Sequence, residues 1–250
     1  MSGFAFHVVG AGRGGTSLIA GLIDTHPDCE VHFEEFSINF LMGRASTDAE
    51  TIHDPALRTA ARIANFIGAC ETRATAFPDK LWGHKTTTEQ IGGLGNIGEG
   101  VLSVAASGED MNALDRFVEN VAHIPTVFIL RDGRTCVRSK VKRTGQTVEV
   151  AANRWKYSIR VMNTFKESAR RFLIVRFEDL IRYPEATMRT VTTFLGVNYT
   201  SIVLRGAENT RVLPEYRSKI FDESKTVFEE DADQKWIDDI RPELIANGYV

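Results

Sequence analysis

Near its start the chain has a short, largely apolar run over residues 4–9 that ends in a glycine cluster, Gly10, Gly12, Gly14 and Gly15. Apolar positions at helical spacing follow over residues 16–23, so the first predicted unit is strand, tight turn, helix. His26-Pro27-Asp28 breaks that helix, and residues 29–33 predict a second short strand with Glu34 and Glu35 at its C-terminal end. Helical spacing returns over 55–70, and an extended element over 81–85 leads into Thr86-Thr87-Thr88. The stretch 92–108, rich in Gly, Ser and Ala, predicts a loop or lid. An amphipathic helix is predicted over 110–122. Residues 126–130 form a continuous, largely apolar run, the pattern of a strand covered on both faces, and a basic helix over 135–143 follows. A longer helix over 148–165, a strand over 172–177 and a helix over 184–195 come next, the last with Pro184 at its start and Gly196 past its end. A final amphipathic helix over 231–245 closes on Gly248-Tyr249. Short apolar runs alternating with helices define the α/β class, and no repeat or linker divides the chain. The expected architecture is a single domain over residues 1–250: a mostly parallel central sheet flanked by helices, with a P-loop-like phosphate-binding turn.

Composition removes several classes. Over 250 residues the formal net charge is -3, so there is no bulk basic field of the kind that general nucleic-acid binding uses, and local basic clusters are read as sites. Cys29, Cys70 and Cys136 are widely spaced without a C-x-x-C pair, which argues against zinc or a redox dithiol and for reduced thiols in a cytoplasmic protein. No export signal is expected at the start, and no stretch reaches the roughly 20 apolar residues of a membrane span.

Gly10-Ala11-Gly12-Arg13-Gly14-Gly15-Thr16-Ser17 fits G-x-G-x-x-G and also a Walker-like pattern with Thr16 in place of Lys. Both place a phosphate on a helix N-terminus, where backbone N–H groups and the helix dipole favour an anion. A dinucleotide site wants an acid roughly 20 positions on, which Glu30, Glu34 or Glu35 could supply, but Arg13 crowds a pyrophosphate at close approach. A nucleoside triphosphate site wants the missing Lys and a strand ending in a magnesium-holding Asp, whereas the strand over 126–130 runs into Arg131 before Asp132. In the third reading, two strand-turn-helix units converge on one molecule with several phosphates. Arg131, Arg134, Arg138 and Ser139 then form a second anion site, with Arg134, Arg138 and Lys142 along one helix face. A plain solvated basic helix is the competing reading of that face.

These residues resemble the sulfotransferase family, which uses 3′-phosphoadenosine 5′-phosphosulfate (PAPS). Gly12-Arg13-Gly14-Gly15-Thr16-Ser17-Leu18 looks like its 5′-phosphosulfate loop, and Leu22-Ile23-Asp24-Thr25-His26-Pro27 like the His-Pro that follows. Ile129-Leu130-Arg131-Asp132-Gly133-Arg134 with Ser139 is similar to its 3′-phosphate motif. Val175-Arg176-Phe177-Glu178-Asp179-Leu180, then Pro184 and Phe194-Leu195-Gly196, is similar to its downstream signature. The resemblance implies that Gly12, Arg13, Gly14, Gly15, Thr16 and Ser17 hold the 5′-phosphosulfate, and Arg131 and Ser139 the 3′-phosphate. Arg13 and Lys85, in a Lys-Thr element, become the charge-stabilising cations. A glutamate becomes the catalytic base: Glu35 first, then Glu34, with Glu30 beside His32 as a rival. No metal is implied. Gly133 and Thr87 stand where the family usually has Pro, and Arg217, Lys219 or Lys225 would complete the 3′-phosphate pocket. His26 is read as a turn residue, Trp155 and Tyr157 as core, and Glu178-Asp179 as structural caps.

The implied activity is sulfuryl transfer to a small-molecule, lipid or carbohydrate acceptor, chosen by segments 36–80 and 92–108. A P-loop nucleotide kinase-like enzyme and a non-catalytic nucleotide-binding module are the alternatives.

Overall fold

The computed structural model describes residues 3–95, 110, 112–209, 211–212, 221–228 and 235–250. Among the described residues five strands form one sheet: β1 (Phe4–Gly10), β2 (Cys29–Phe33), β3 (Leu81–Thr87), β4 (Thr126–Leu130) and β5 (Phe172–Arg176). They lie in the order β2-β3-β1-β4-β5 with every pairing parallel, so the expected mostly parallel sheet is parallel throughout.

Two apolar layers cover it. On β4, Val127 and Ile129 pack with one core, and Phe128 and Leu130 with the other. All five of its residues are buried, which is why its apolar run does not alternate. The first core takes α1 (Thr16–Asp24), the short α7 (Phe177–Arg182) and α8 (Pro184–Leu195). The second takes α2 (Pro55–Ala74), α4 (Ala113–Val121), α5 (Gly133–Thr144), α6 (Val148–Ser168) and α9 (Lys235–Ala246).

Local chemistry sets most boundaries. Asp54 accepts the Leu57 N–H to begin α2 with Pro55 in its first turn, and Thr147 does the same for Val150 in α6. Gly145 and Gly196, at φ 68° and 82°, end α5 and α8 in the left-handed region.

The helix predicted over 110–122 is shorter, and the strand predicted over 172–177 stops at Arg176. There Phe177 turns into α7 and buries its ring in the core beneath the glycine turn. Among the short elements without a periodic signature are the π-turn Ser37–Leu41 and α3 (Thr88–Gly92). The predicted loop beyond Gly95, the candidates Arg217 and Lys219, and the first residues of the helix predicted over 231–245 lie outside the described residues. Among the described residues, no helix is long and apolar enough to cross a membrane.

The topology positions the site. The chain leaves β1 toward α1 on one face and β4 toward α5 on the other. The two turns therefore diverge and leave a crevice at the C-terminal ends of these neighbouring strands, where open α/β sheets receive ligands.

Candidate active site

Gly10 ends β1 so close to β4 that an added Cβ would lie 2.6 Å from the Ile129 carbonyl oxygen. The turn that follows folds back through a Gly14 N–H bond to the Ala11 carbonyl at 2.8 Å. Arg13 and Gly15 both take positive φ, 69° and 100°. At Gly15 a side chain is also excluded by the Phe177 ring, 2.5 Å from where a Cβ would stand. No side chain caps the start of α1, and its first turn holds no acid, so the end of the helix presents positive potential to the crevice. Thr16 is buried and Ser17 half-buried there.

The second unit meets the first directly. The Arg13 Nε donates to Ser139 Oγ on α5 at 3.3 Å. Arg131, only 6% exposed, donates to the Arg13 carbonyl at 3.0 Å, to Thr135 Oγ1 at 2.9 Å and to the Lys225 carbonyl at 2.6 Å. Its guanidinium lies over the Phe177 ring at 4.4 Å. One buried cation thus ties together the glycine turn, α5 and the segment around Lys225.

Arg134 and Arg138 sit further along the helix face, over the Phe228 ring at 5.2 and 4.2 Å. Arg134 also pairs with Asp132 at 2.6 Å and donates to the Tyr249 carbonyl at 2.9 Å. Glu178 accepts the Asp132 N–H at 3.0 Å and the Tyr249 hydroxyl at 3.2 Å. Trp155 is core, with its indole N–H on the Arg131 carbonyl. Gly133 lies beneath that indole, where a Cβ would come within 2.8 Å of the ring. His26 is a turn residue: its Nδ1 accepts the Asp28 N–H and its Nε2 donates to the Asn198 carbonyl.

On the other side of the turn, β2 and β3 bring acid and base together. Register pairs Phe33 with Lys85, and the next residue, Glu34, turns back at φ 59°. Its carboxylate pairs with the Lys85 ammonium and accepts from Gln90 Nε2 at 2.8 Å. Lys85 also donates to Ser17 Oγ at 3.2 Å, connecting this pair to the glycine turn. Glu35 points elsewhere: its side chain is 63% exposed and meets His32 at 3.1 Å. Glu30 is paired with Lys80 and Arg211 at 3.3 and 3.5 Å. Of the three acids singled out from sequence, only Glu34 lines the cavity beside the turn. That cavity, about 320 Å³, is bounded by Gly12, Arg13, Glu34, Met42, Glu89 and Arg154 among others.

Glu89, Gln90 and Lys140 were not visible as site residues in the sequence. Glu89 forms a buried pair with Lys140 and accepts the Gly12 N–H at 2.8 Å, so it braces the turn from behind. Gln90 accepts from the Thr87 N–H and from Ser37 Oγ, both at 2.8 Å, while donating to Glu34. Three polar residues directly after the Lys85 strand were the available signal, but their direction depends on α3, which has no periodic trace.

Burial raises the cost of charge on Glu89, yet Lys140 and the Gly12 N–H outweigh it and hold this carboxyl below its usual range. Burial pushes the Lys85 ammonium down to about 7, with the field of Glu89 opposing. His7 and His84 lie behind the site on either side of the Thr86 hydroxyl, at 2.8 and 3.0 Å. Burial holds His7 down at about 3 and His84 well below the usual imidazole value.

Fold and geometry together define an α/β protein with a crevice at the switch point of its sheet, bounded by a glycine turn, an uncapped helix start and a glutamate–lysine pair. The chain belongs to the sulfotransferase family, whose sequence profile matches residues 6–201. No curated protein matches the chain. Among solved structures it is similar to the sulfotransferase domain from the Synechococcus PCC 7002 olefin synthase, with TM-score 0.60 and 16% identity over 96% of this chain and 94% of that one. It is also similar to the sulfotransferase domain from the curacin biosynthetic pathway, with TM-score 0.62 and 14% identity over 97% and 98%. At these identities the likeness is one of fold.

Proposed function

We propose that the protein transfers a sulfuryl group from PAPS to a hydroxyl or amine of a small-molecule acceptor, with Glu34 as the base. The observation that carries this reading is the Glu34–Lys85–Ser17 chain, which joins a carboxylate in the cavity wall to the N-terminus of α1. The donor, when bound, supplies an electrophilic sulfur attached to a phosphate leaving group. Glu34 takes the proton from the attacking acceptor oxygen or nitrogen as the new bond to sulfur forms. Arg13, Lys85 and the N–H groups opening α1 hold the negative charge that collects on the departing phosphate oxygen as its bond to sulfur breaks. Arg131 and Ser139 stand on the β4 side, where the 3′-phosphate of such a donor fits their charge and their tie to Arg13.

The glycine turn fits this donor through its close-packed Gly10 and Gly15 and its uncapped helix start. Cys29, Cys70 and Cys136 are free and buried, which supports a reducing compartment such as the cytoplasm.

Calorimetric titration with adenosine 3′,5′-bisphosphate, beside magnesium ATP and NAD, tests the donor without an acceptor. We expect metal-independent binding of the bisphosphate, weakened at least tenfold by Arg13→Ala or Arg131→Ala. Preference for ATP with magnesium or for NAD, or unchanged affinity in both variants, overturns the assignment.

A further inference from the structure

A glutamate at positive φ is a costly conformation that persists only where its surroundings impose it. Glu34, at 59°, is closed in from both sides. Its N–H donates to the Lys85 carbonyl at 3.0 Å, and its carbonyl accepts the Ile38 N–H and the Ser37 hydroxyl, both at 2.8 Å. The side chain is held as firmly as the backbone. One carboxylate oxygen meets the Lys85 ammonium, and the other accepts from Gln90 Nε2 at 2.8 Å. Each oxygen keeps a lone pair that can take a proton.

Gln90 is 4% exposed and Ser37 fully buried. The Gln90 side-chain oxygen accepts the Thr87 N–H at 2.8 Å and lies at the same distance from Ser37 Oγ. A backbone N–H can only donate, so this contact fixes which end of the amide is oxygen and leaves the NH2 end toward Glu34. Facing a carboxyl group, that end stabilises the ionised form and offers no acceptor to the protonated one.

The bond to Thr87 has a simpler use of its own. Gln90 is the third residue of α3, and a side chain there that accepts the N–H of the residue before the helix makes a capping box. Glutamate serves a capping box as well as glutamine does, because only the oxygen is needed. The bond to Glu34 needs the nitrogen.

We infer that Gln90 is a positioning residue for the proposed base: its amide aims the Glu34 carboxylate and keeps it ionised, ready to accept a proton. This rests on the sulfuryl-transfer reading for what the carboxylate does, and on the contacts alone for how it is held. The other ionisable groups around Glu34 are Lys85 on β3, Arg13 in the glycine turn, Glu89 in α3, Lys140 in α5, Arg154 in α6 and Arg44 after the π-turn. Substitution at Gln90 leaves each of them in place.

The experiment follows the Glu34 carboxyl directly, in the full chain labelled with carbon-13 at the glutamate carboxyls. The Glu34 signal is the one lost in Glu34→Gln, and its shift against pH reports its charge. Gln90→Met removes the donor without adding charge, and we expect the Glu34 midpoint to rise by about one pH unit, the size of one charge-assisted hydrogen bond. Gln90→Glu keeps the capping oxygen but sets a second carboxyl against Glu34. The two then share a proton, and the Glu34 signal should titrate in two steps, the upper at least about one pH unit above wild type. Should one variant fail to fold, the other carries the test. An unshifted midpoint in Gln90→Met, or a single unshifted step in Gln90→Glu, overturns the role and leaves Gln90 as a helix cap only. Turnover retained in Glu34→Gln, or no binding of the bisphosphate, instead overturns the transfer reading, and the Glu34 titration still decides how the carboxylate is held.

Discussion

Glu34 and Glu35 are adjacent in sequence and chemically alike, so replacing each in turn by glutamine separates the placement of a carboxylate from its mere presence near the site. Glu34 lines the cavity and contacts Lys85 and Gln90, whereas Glu35 faces His32 at the exposed edge of the sheet. Loss of a general base lowers turnover by about 10² to 10⁴, and we expect a loss in that range for Glu34→Gln. Bisphosphate binding should be retained, because the glycine turn, Arg13 and Arg131 are untouched. The variant also leaves Lys85, with a side chain 2% exposed, without the carboxylate it pairs with. Breaking a fully buried pair costs about 3–5 kcal/mol. Because the Glu34 side chain is 31% exposed, water moderates the loss, and we expect about 1–3 kcal/mol. Glu35→Gln should keep turnover within about threefold and stability within about 1 kcal/mol, as for an exposed pair. The assays are steady-state turnover with the wild-type acceptor, calorimetry with the bisphosphate and urea unfolding. Turnover of Glu34→Gln within tenfold of wild type, or a comparable collapse in Glu35→Gln, refutes the placement argument.

Two further predictions concern the frame that holds the site. His7 is held neutral down to about 3, and His84 well below its usual value, by burial on either side of the Thr86 hydroxyl. The unfolded chain binds their protons below about pH 6.5 and the folded chain does not. Stability therefore falls on acidification from that point toward the folded values, by about 1.4 kcal/mol per pH unit for each group. Urea midpoints at pH 7, 6, 5 and 4 should show this slope, and a flat profile refutes neutral burial. Gly133→Ala should lower stability by about 1–3 kcal/mol, because the new Cβ meets the Trp155 ring at 2.8 Å. An unchanged unfolding midpoint would mean that α5 has room to shift.

The strand over 126–130 and the helix over 184–195 could be read directly from sequence. In each, the signal is local: consecutive apolar side chains from Val127 to Leu130 in the first, Pro184 and Gly196 as brackets in the second. The glycine turn and the helix it opens were equally legible, since a tight turn at a helix start needs only a short run of residues. The π-turn Ser37–Leu41 and α3 left no such trace, being five residues each, too short for a period to repeat. Arg131 and Ser139 were legible as site candidates, but their tie to Arg13 was not, because a contact spanning more than a hundred residues has no local spacing.

The choice between acids shows where sequence stops. That a carboxylate stands at the end of β2 is written in the chain as Glu34-Glu35, but which of them faces the crevice depends on the backbone after Phe33. At φ 59° the chain reverses at Glu34 and turns its side chain onto Lys85, leaving Glu35 to the exposed edge. Sequence by itself determined the alternation of strands and helices, the glycine turn and the family, because each is encoded in short stretches of contiguous residues. Tertiary structure alone decided which charges meet: Lys85 with Glu34 across two strands, Lys140 with Glu89 from α5 to α3, and Arg154 at the cavity wall from α6. Ion pairing and burial depend on distance in space, and the path of the chain through the sheet sets that distance.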